Sequence, residues 1–195
     1  MSALPPPPLS PSSTSDREDN DEAIARLRTV HARSGRTSTL ALLGFFGVTL
    51  VAGAVSALVH RGTRNKLWYR SLRKPRFAAS PVVYPFVWTA LYAGAAVSAW
   101  RVWRSPPSAA RTAALGLWGA QLAFNTAWSP LFFGAHRPKL ALADLAGNYA
   151  TLGAYALSAA SIDRPAAALV TPYLGWLGYG AATNAGIIAK NAWRF

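Results

Sequence analysis

The hydrophobic and polar positions of this chain are arranged in long blocks. Five stretches of about 18 residues or more carry no charged side chain: 38–59, 77–100, 112–136, 145–162 and 165–189. An apolar stretch of this length is sufficient to cross a bilayer as a helix. We therefore predict an all-α membrane protein, a bundle of five transmembrane helices. The predicted spans lie at about residues 38–59, 81–103, 109–130, 139–161 and 165–189.

The first 37 residues have a different character. They include the Pro/Ser-rich segment "PPPPLSPSST" (5–14) and hold five of the seven acidic residues of the chain. This segment has no apolar core of the kind that a signal peptide needs, and its acids are atypical of a transit peptide. We predict a disordered tail over residues 1–37, followed by a five-helix domain over residues 38–195.

The charge pattern favours a membrane over a nucleic acid as partner. The net charge is +13, but only 14% of the residues are charged, and the basic ones cluster between the apolar runs. Lys and Arg are expected in such loops, where they contact anionic lipid headgroups. The sequence predicts a multi-pass membrane protein that binds no nucleic acid. The pattern is compatible with an organelle membrane, mitochondrial outer or endomembrane, and with a bacterial membrane.

Polar and aromatic side chains recur at helical spacing inside the predicted spans. The third span carries Gln121, Asn125 and Trp128 on one face, the fourth Asp144 and Asn148, the fifth Trp176, Gly180 and Asn184, and the second Trp88 and Tyr92. An amide that faces acyl chains costs several kcal/mol, so these faces should point inward. Two interpretations follow: hydrogen bonds between packed helices, or a pocket for an amphipathic ligand. The bulky aromatic rings favour the pocket.

The segment between the first two spans, "HRGTRNKLWYRSLRKPRFAAS", combines seven basic residues with Trp68, Tyr69 and Phe77. Such a segment is long enough to fold over one mouth of a bundle as a lid. Arg73 and Arg76 would then contact carboxylates of a ligand. The alternative is that these cations bind only lipid phosphates.

Other chemistries lack the residues that they require. The chain has no cysteine, and its three histidines lie in the tail or at span ends, so we predict no metal site and no covalent cofactor. No pair of acidic residues within the spans suits hydrolysis, and no catalytic residue is assigned from spacing.

Five motifs resemble the translocator protein family, also called tryptophan-rich sensory proteins or peripheral-type benzodiazepine receptors. They occur in the family's order and spacing: "LWYRSLRKP" (67–75), "VWTALY" (87–92), "QLAFNTAWSPLFFG" (121–134), "ALADL" (141–145) and "PYLGWLGYGAATN" (172–184). The loop departs from the family pattern KPxWxPP, since it reads "KPRFAAS". No Tyr lies between Thr183 and Lys190, where the family's sterol motif would place one.

The resemblance implies a five-helix bundle, commonly a homodimer, whose first loop closes an intramembrane cavity. Its implied ligands are tetrapyrroles such as haem and protoporphyrin, sterols or other lipids, and synthetic drugs. By motif, the implied ligand-binding residues are Tyr69 in the loop, Trp88 and Tyr92 in the second span, Asn125 and Trp128 in the third, and Trp176 and Gly180 in the fifth.

Three functions are therefore considered. The first is a receptor or transporter-like protein that binds tetrapyrroles, in stress-related haem or porphyrin handling. The second is an enzyme for light- and oxygen-dependent porphyrin breakdown, in which the resemblance implies roles for Trp88 and Trp176. The third is a sterol- or lipid-binding regulator. The resemblance favours binding over catalysis.

Overall fold

A computed structural model of the protein describes residues 37–55, 58–59 and 62–195. These residues form helices joined by short turns and include no strand. The α-helices are α1 (Thr37–Val55), α2 (Thr63–Ser71), α3 (Val83–Arg104), α4 (Ala109–Ser129), α5 (Pro138–Ala160) and α6 (Arg164–Lys190). The chain divides into the units 1–40 and 41–195, and the contacts below lie within the second. The predicted tail, apart from Thr37, lies outside the described residues.

The described residues form six α-helices, one more than the five spans that the sequence predicts. Five long helices, α1 and α3 to α6, cover the five apolar runs, and α2 is a sixth, short helix inside the basic segment. Its residues "TRNKLWYRS" include no Pro or Gly, and the backbone becomes extended at Leu72, before Pro75. The segment predicted as a loop is therefore a helix followed by an extended strap, and we call residues 72–80 the strap.

Hydropathy separates α1 from the other long helices. Among the described residues, α1 is the one helix that is long and apolar enough to cross a membrane by length and composition alone. The other four long helices have 21 to 27 residues, which is long enough to cross a bilayer. Their Trp, Tyr, Gly and amide residues lower the mean hydropathy.

Local sequence signals determine where the long helices begin. The Ser108 hydroxyl accepts the Arg111 N–H at 3.1 Å and caps α4, and the Asp163 carboxylate accepts the Ala166 N–H at 3.2 Å and caps α6. Asp163 also pairs with Arg101 of α3, whose Nε lies 3.0 Å from Oδ2. Pro138 occupies the first turn of α5, where its missing N–H costs nothing.

Helices α3 to α6 form a closed ring, in which α4 packs on α5, α5 on α6, α6 on α3, and α3 on α4. Helices α3 and α6 approach each other closely at one seam. A Cβ at Gly94 would lie 2.9 Å from the Leu169 carbonyl oxygen. One turn further along α3, the Ser98 hydroxyl contacts both the Ala166 carbonyl and the Tyr155 hydroxyl at 2.7 Å. Small side chains thus allow the two backbones to approach closely.

Gly94→Ala is expected to destabilise the bundle by about 1–3 kcal/mol, because the new methyl group collides with backbone rather than with a flexible side chain. Gly153→Ala is the matched control. Gly153 also lies inside a helix, but a Cβ there would have no neighbour within 4 Å. Alanine is the better helix former, so this control should unfold at the parent temperature or slightly above it. Thermal unfolding in detergent checks both, and equal midpoints for the two variants would contradict the assigned seam.

Candidate functional site

Trp88 of α3 is the centre of a group of aromatic rings on α3 and α6. Its ring centroid lies 5.2 Å from that of Tyr92, 5.7 Å from that of Tyr173 and 6.4 Å from that of Trp176. The planes of Trp88 and Trp176 are perpendicular, at 89°. These four residues, which we call the central aromatic group, join α3 to α6 through edge-to-face contacts.

An amide from α4 completes this group. The Asn125 Nδ2 donates to the Tyr92 hydroxyl at 2.6 Å, and Asn125 is buried. Helix α1 approaches the same ring, since a Cβ at Gly53 would lie 2.7 Å from the Tyr92 Cε2. This hydrogen bond holds the Tyr92 ring in place. It uses the amide nitrogen of Asn125, so the side-chain carbonyl oxygen takes no part in it. Aromatic surface and polar groups thus lie side by side in the bundle interior.

Trp176 connects the central group to the strap. Its ring contacts Tyr84 at 5.6 Å and Tyr179 at 5.0 Å. The Tyr179 hydroxyl donates to the Phe77 carbonyl at 3.2 Å and accepts the Ala79 N–H. Sequence reasoning missed Tyr84 and Tyr179, although the spacing of three between Trp176 and Tyr179 in "GWLGYG" places them on one face. A proline at residue 79, as in the family loop pattern, would have no N–H for this bond.

A second aromatic group lies beside α2. The chain continues from α4 into a π-helical turn, Pro130–Gly134, in which the Ala135 N–H bonds the Pro130 carbonyl at 2.8 Å. The wide turn follows from Pro130, which interrupts the α-helical bonding pattern. It turns Phe132 and Phe133 inward, where both are buried.

Two predicted residues belong to this second group. Trp128 stacks on Phe132 at 4.9 Å and 15°. Tyr69 of α2 meets the edges of Phe132 at 6.3 Å and Phe133 at 5.4 Å. The Trp128 indole N–H is buried and has no hydrogen-bond partner in the described part of the chain. A hydrogen-bond acceptor on a ligand could pair with this indole N–H.

The strap is attached to the C-terminal end of α6 by polar and apolar contacts. Asn191 is buried, and its side chain accepts the Arg73 N–H at 3.0 Å and donates to the Arg73 carbonyl at 2.9 Å. Leu72 is buried next to Phe132 and Ile187. Pro75 lies against Gly186, where a Cβ would come within 3.1 Å of the proline ring. The strap therefore lies over one end of the bundle.

The cations of the strap are in two environments. Arg73 and Arg76 are exposed. The Lys74 ammonium lies 4.5 Å from the centre of the Tyr69 ring and donates to the Leu72 carbonyl at 3.1 Å. Burial lowers the pKa of Lys74 below its usual value. Burial, with a smaller contribution from Tyr179, raises the pKa of Tyr69. The Lys74 ammonium contacts groups of α2 and the strap, whereas the Arg73 and Arg76 side chains are exposed.

The structure divides the predicted ligand-binding residues. Trp88, Tyr92, Asn125 and Trp176 come together in or beside the central aromatic group, whereas Trp128 and Tyr69 lie in the second group. Gly180 packs against α5, where a Cβ would meet the Leu145 Cδ2 at 3.6 Å. Within the described residues, no group of three His, Asp or Glu side chains could hold a metal ion.

Comparison with known proteins gives one consistent result. The sequence matches the TspO/MBR family over residues 45–189. It is 33% identical to the translocator protein of Bos taurus over 144 residues, which cover 73% of this chain and 85% of that protein. It is 32% identical to protein CrtK of Rhodobacter capsulatus over 152 residues, 77% of this chain and 89% of the relative. It is 38% identical to the tryptophan-rich sensory protein of Cereibacter sphaeroides over 109 residues, 56% of this chain and 67% of the relative.

Proposed function

Because this chain belongs to the TspO/MBR family, whose members are membrane proteins, we propose that its five long helices span a membrane and enclose a pocket for tetrapyrroles. The outward faces of the helices support the first part. Leu43, Phe86 and Leu157 are 61%, 74% and 77% exposed. Large apolar side chains on several outer faces fit contact with acyl chains better than contact with water.

The central aromatic group carries the ligand proposal. A tetrapyrrole such as haem or protoporphyrin is a broad, flat, mostly apolar ring with carboxylates at one edge. Trp88, Tyr92 and Trp176 supply aromatic surface, and Asn125 supplies a polar group in the same space. Since Trp88 and Trp176 touch each other, a macrocycle would stack between them only after the two rings separate.

The position of the strap supports one orientation of the ligand in the proposed pocket. It joins the central group through Tyr179 and carries Arg73 and Arg76, which are exposed. A porphyrin whose apolar ring lies among the tryptophans would direct its carboxylates to this end of the bundle. Each carboxylate–guanidinium contact shielded from water contributes on the order of 1.5–3 kcal/mol. The protein would thus act as a receptor or transporter-like protein in stress-related tetrapyrrole handling.

Removing the ligand's charge tests this role of the strap. In neutral-lipid bilayers, the parent protein should bind a dicarboxylate porphyrin more tightly than its dimethyl ester. The double variant Arg73→Ala/Arg76→Ala should lose that preference and leave the affinity for the ester unchanged. Arg104→Ala is the control, because Arg104 is also exposed but packs on Trp100 at the end of α3. An equal preference in parent and double variant would assign these arginines to the lipid surface alone.

The contact between the two indoles favours a second function. The ring centroids of Trp88 and Trp176 lie 6.4 Å apart. The resemblance links these two residues to photo-oxidative breakdown of porphyrin. A bound porphyrin would place its ring beside both side chains, where an excited macrocycle and oxygen could react. Light-dependent breakdown would thus be a second activity of the same pocket, in addition to binding.

We also propose that the protein is a homodimer. Gly116 and Gly119 of α4 are exposed, and a Cβ at either would have no neighbour within 4 Å. Small residues on an outer helix face allow a second helix to approach closely in lipid.

An absorbance titration with protoporphyrin in detergent, in darkness and in light, separates the functions. A saturable spectral shift that persists in the dark supports binding. Loss of the porphyrin band only under illumination adds breakdown. The absence of any shift over the full concentration range would reject the tetrapyrrole proposal and favour a sterol- or lipid-binding regulator.

A further inference from the structure

Three buried polar side chains, one on each of α4, α5 and α6, have side-chain atoms without hydrogen bonds to the described residues. Gln121 of α4, Asn148 of α5 and Tyr173 of α6 are no more than 1% exposed. The side-chain oxygen and nitrogen of Gln121, the same two atoms of Asn148, and the Tyr173 hydroxyl have no hydrogen-bond partner among the residues that the structure describes. Buried polar atoms in native proteins are normally paired with protein or with water, so these five atoms require an explanation.

The three side chains come from adjacent helices at one level of the bundle. The Phe124 ring lies against Gly147, where a Cβ would come within 2.8 Å of its Cε1, and this contact sets the register of α4 against α5. In an antiparallel pair, Gln121 and Asn148 are then offset by about two residues, or about 3 Å along the axis. The Asn148 amide lies beside the Tyr173 hydroxyl.

We propose that Gln121, Asn148 and Tyr173 form an internal hydration site between α4, α5 and α6. A buried water makes about three hydrogen bonds, so about two waters would satisfy five polar atoms. Amides both donate and accept hydrogen bonds, as water does. The site shares Tyr173 with the central aromatic group, in which the Tyr173 ring contacts Trp88. It does not depend on which ligand that group binds.

The protein contains a matched internal reference for this proposal. Tyr155 is as fully buried as Tyr173, but its hydroxyl bonds the Ser98 hydroxyl at 2.7 Å. Both tyrosines are therefore shielded from bulk solvent, and only Tyr173 would have water beside its ring. Hydroxyl radicals generated by X-ray radiolysis form from water at the point of reaction, so they oxidise a buried tyrosine only where internal water lies next to it.

The experiment is radiolytic labelling of the full-length protein in detergent, read by mass spectrometry of each tyrosine. Tyr173 should be oxidised several-fold faster than Tyr155. Gln121→Leu and Asn148→Leu keep the side-chain size but remove the hydrogen-bonding atoms, so each should lower the Tyr173 rate towards that of Tyr155. Thr126→Val is the control, because the Thr126 hydroxyl already bonds the Leu122 carbonyl of its own helix at 2.8 Å. It should leave the Tyr173 rate unchanged.

Two results would overturn the hydration site. Equal oxidation of Tyr173 and Tyr155 in the parent protein would show that no water lies beside Tyr173. A high Tyr173 rate that both leucine variants leave unchanged would show that the water reaches this ring from elsewhere. If a leucine variant fails to fold, as judged by circular dichroism, the comparison of the two tyrosines in the parent protein still decides.

Discussion

Trp176→Ala is expected to weaken protoporphyrin binding on the order of 100-fold, because truncating a large aromatic anchor in a binding site costs about 2–4 kcal/mol. We expect this large effect on affinity because the Trp176 ring contacts the rings of Tyr84, Trp88 and Tyr179. The substitution removes aromatic surface from the proposed pocket and also removes the ring contact to Tyr179, whose hydroxyl bonds the strap. The absorbance titration in detergent measures the change in affinity.

Trp193→Ala is the control for this substitution. Trp193 is 73% exposed, and its ring contacts the Arg194 guanidinium at 4.7 Å, outside both aromatic groups. It should bind porphyrin as the parent does. A circular dichroism spectrum confirms that both variants retain their helices. If Trp176→Ala bound as tightly as Trp193→Ala, the pocket would not lie at the central aromatic group.

Asn191→Ala is expected to destabilise the attached strap by about 2–4 kcal/mol, because it leaves buried or half-buried backbone groups without partners. The Asn191 side chain bonds the Arg73 N–H, the Arg73 carbonyl and the Ile187 carbonyl. Without it, the strap should detach from α6 more often and expose its basic residues. Trypsin should then cut after Arg73 and Arg76 faster than in the parent, and the midpoint of thermal unfolding should fall.

Ser161→Ala is a suitable comparison, since the Ser161 hydroxyl is exposed and bonds only the nearby Ser158 carbonyl. It should leave both the cleavage rate and the unfolding midpoint at the parent values. Unchanged cleavage at Arg73 in Asn191→Ala would mean that Leu72 and Pro75 hold the strap by apolar packing alone. Asn191 would then have no role in its attachment.

The sequence by itself determined the family and the positions of the long helices. The motifs are confirmed as those of the TspO/MBR family by the match over residues 45–189. Each long helix contains most of one uncharged run, because a run of this length and composition has few alternatives to a helix. Ser108, Asp163 and Pro138 mark helix starts by local chemistry, since a cap depends only on residues a few positions apart.

Only the tertiary structure decided which faces meet. Helical spacing placed Trp176 and Gly180 on one face, yet Trp176 contacts Trp88 of α3 while Gly180 packs on Leu145 of α5. Likewise, Trp128 follows Asn125 by one turn but stacks on Phe132 of the π-helical turn. Spacing defines a face of one helix, whereas the partners of that face depend on the rotation of each helix and on the order of helices around the ring. These are settled by contacts between residues far apart in the chain, such as Tyr179 with Ala79 and Asn191 with Arg73, which no local pattern specifies.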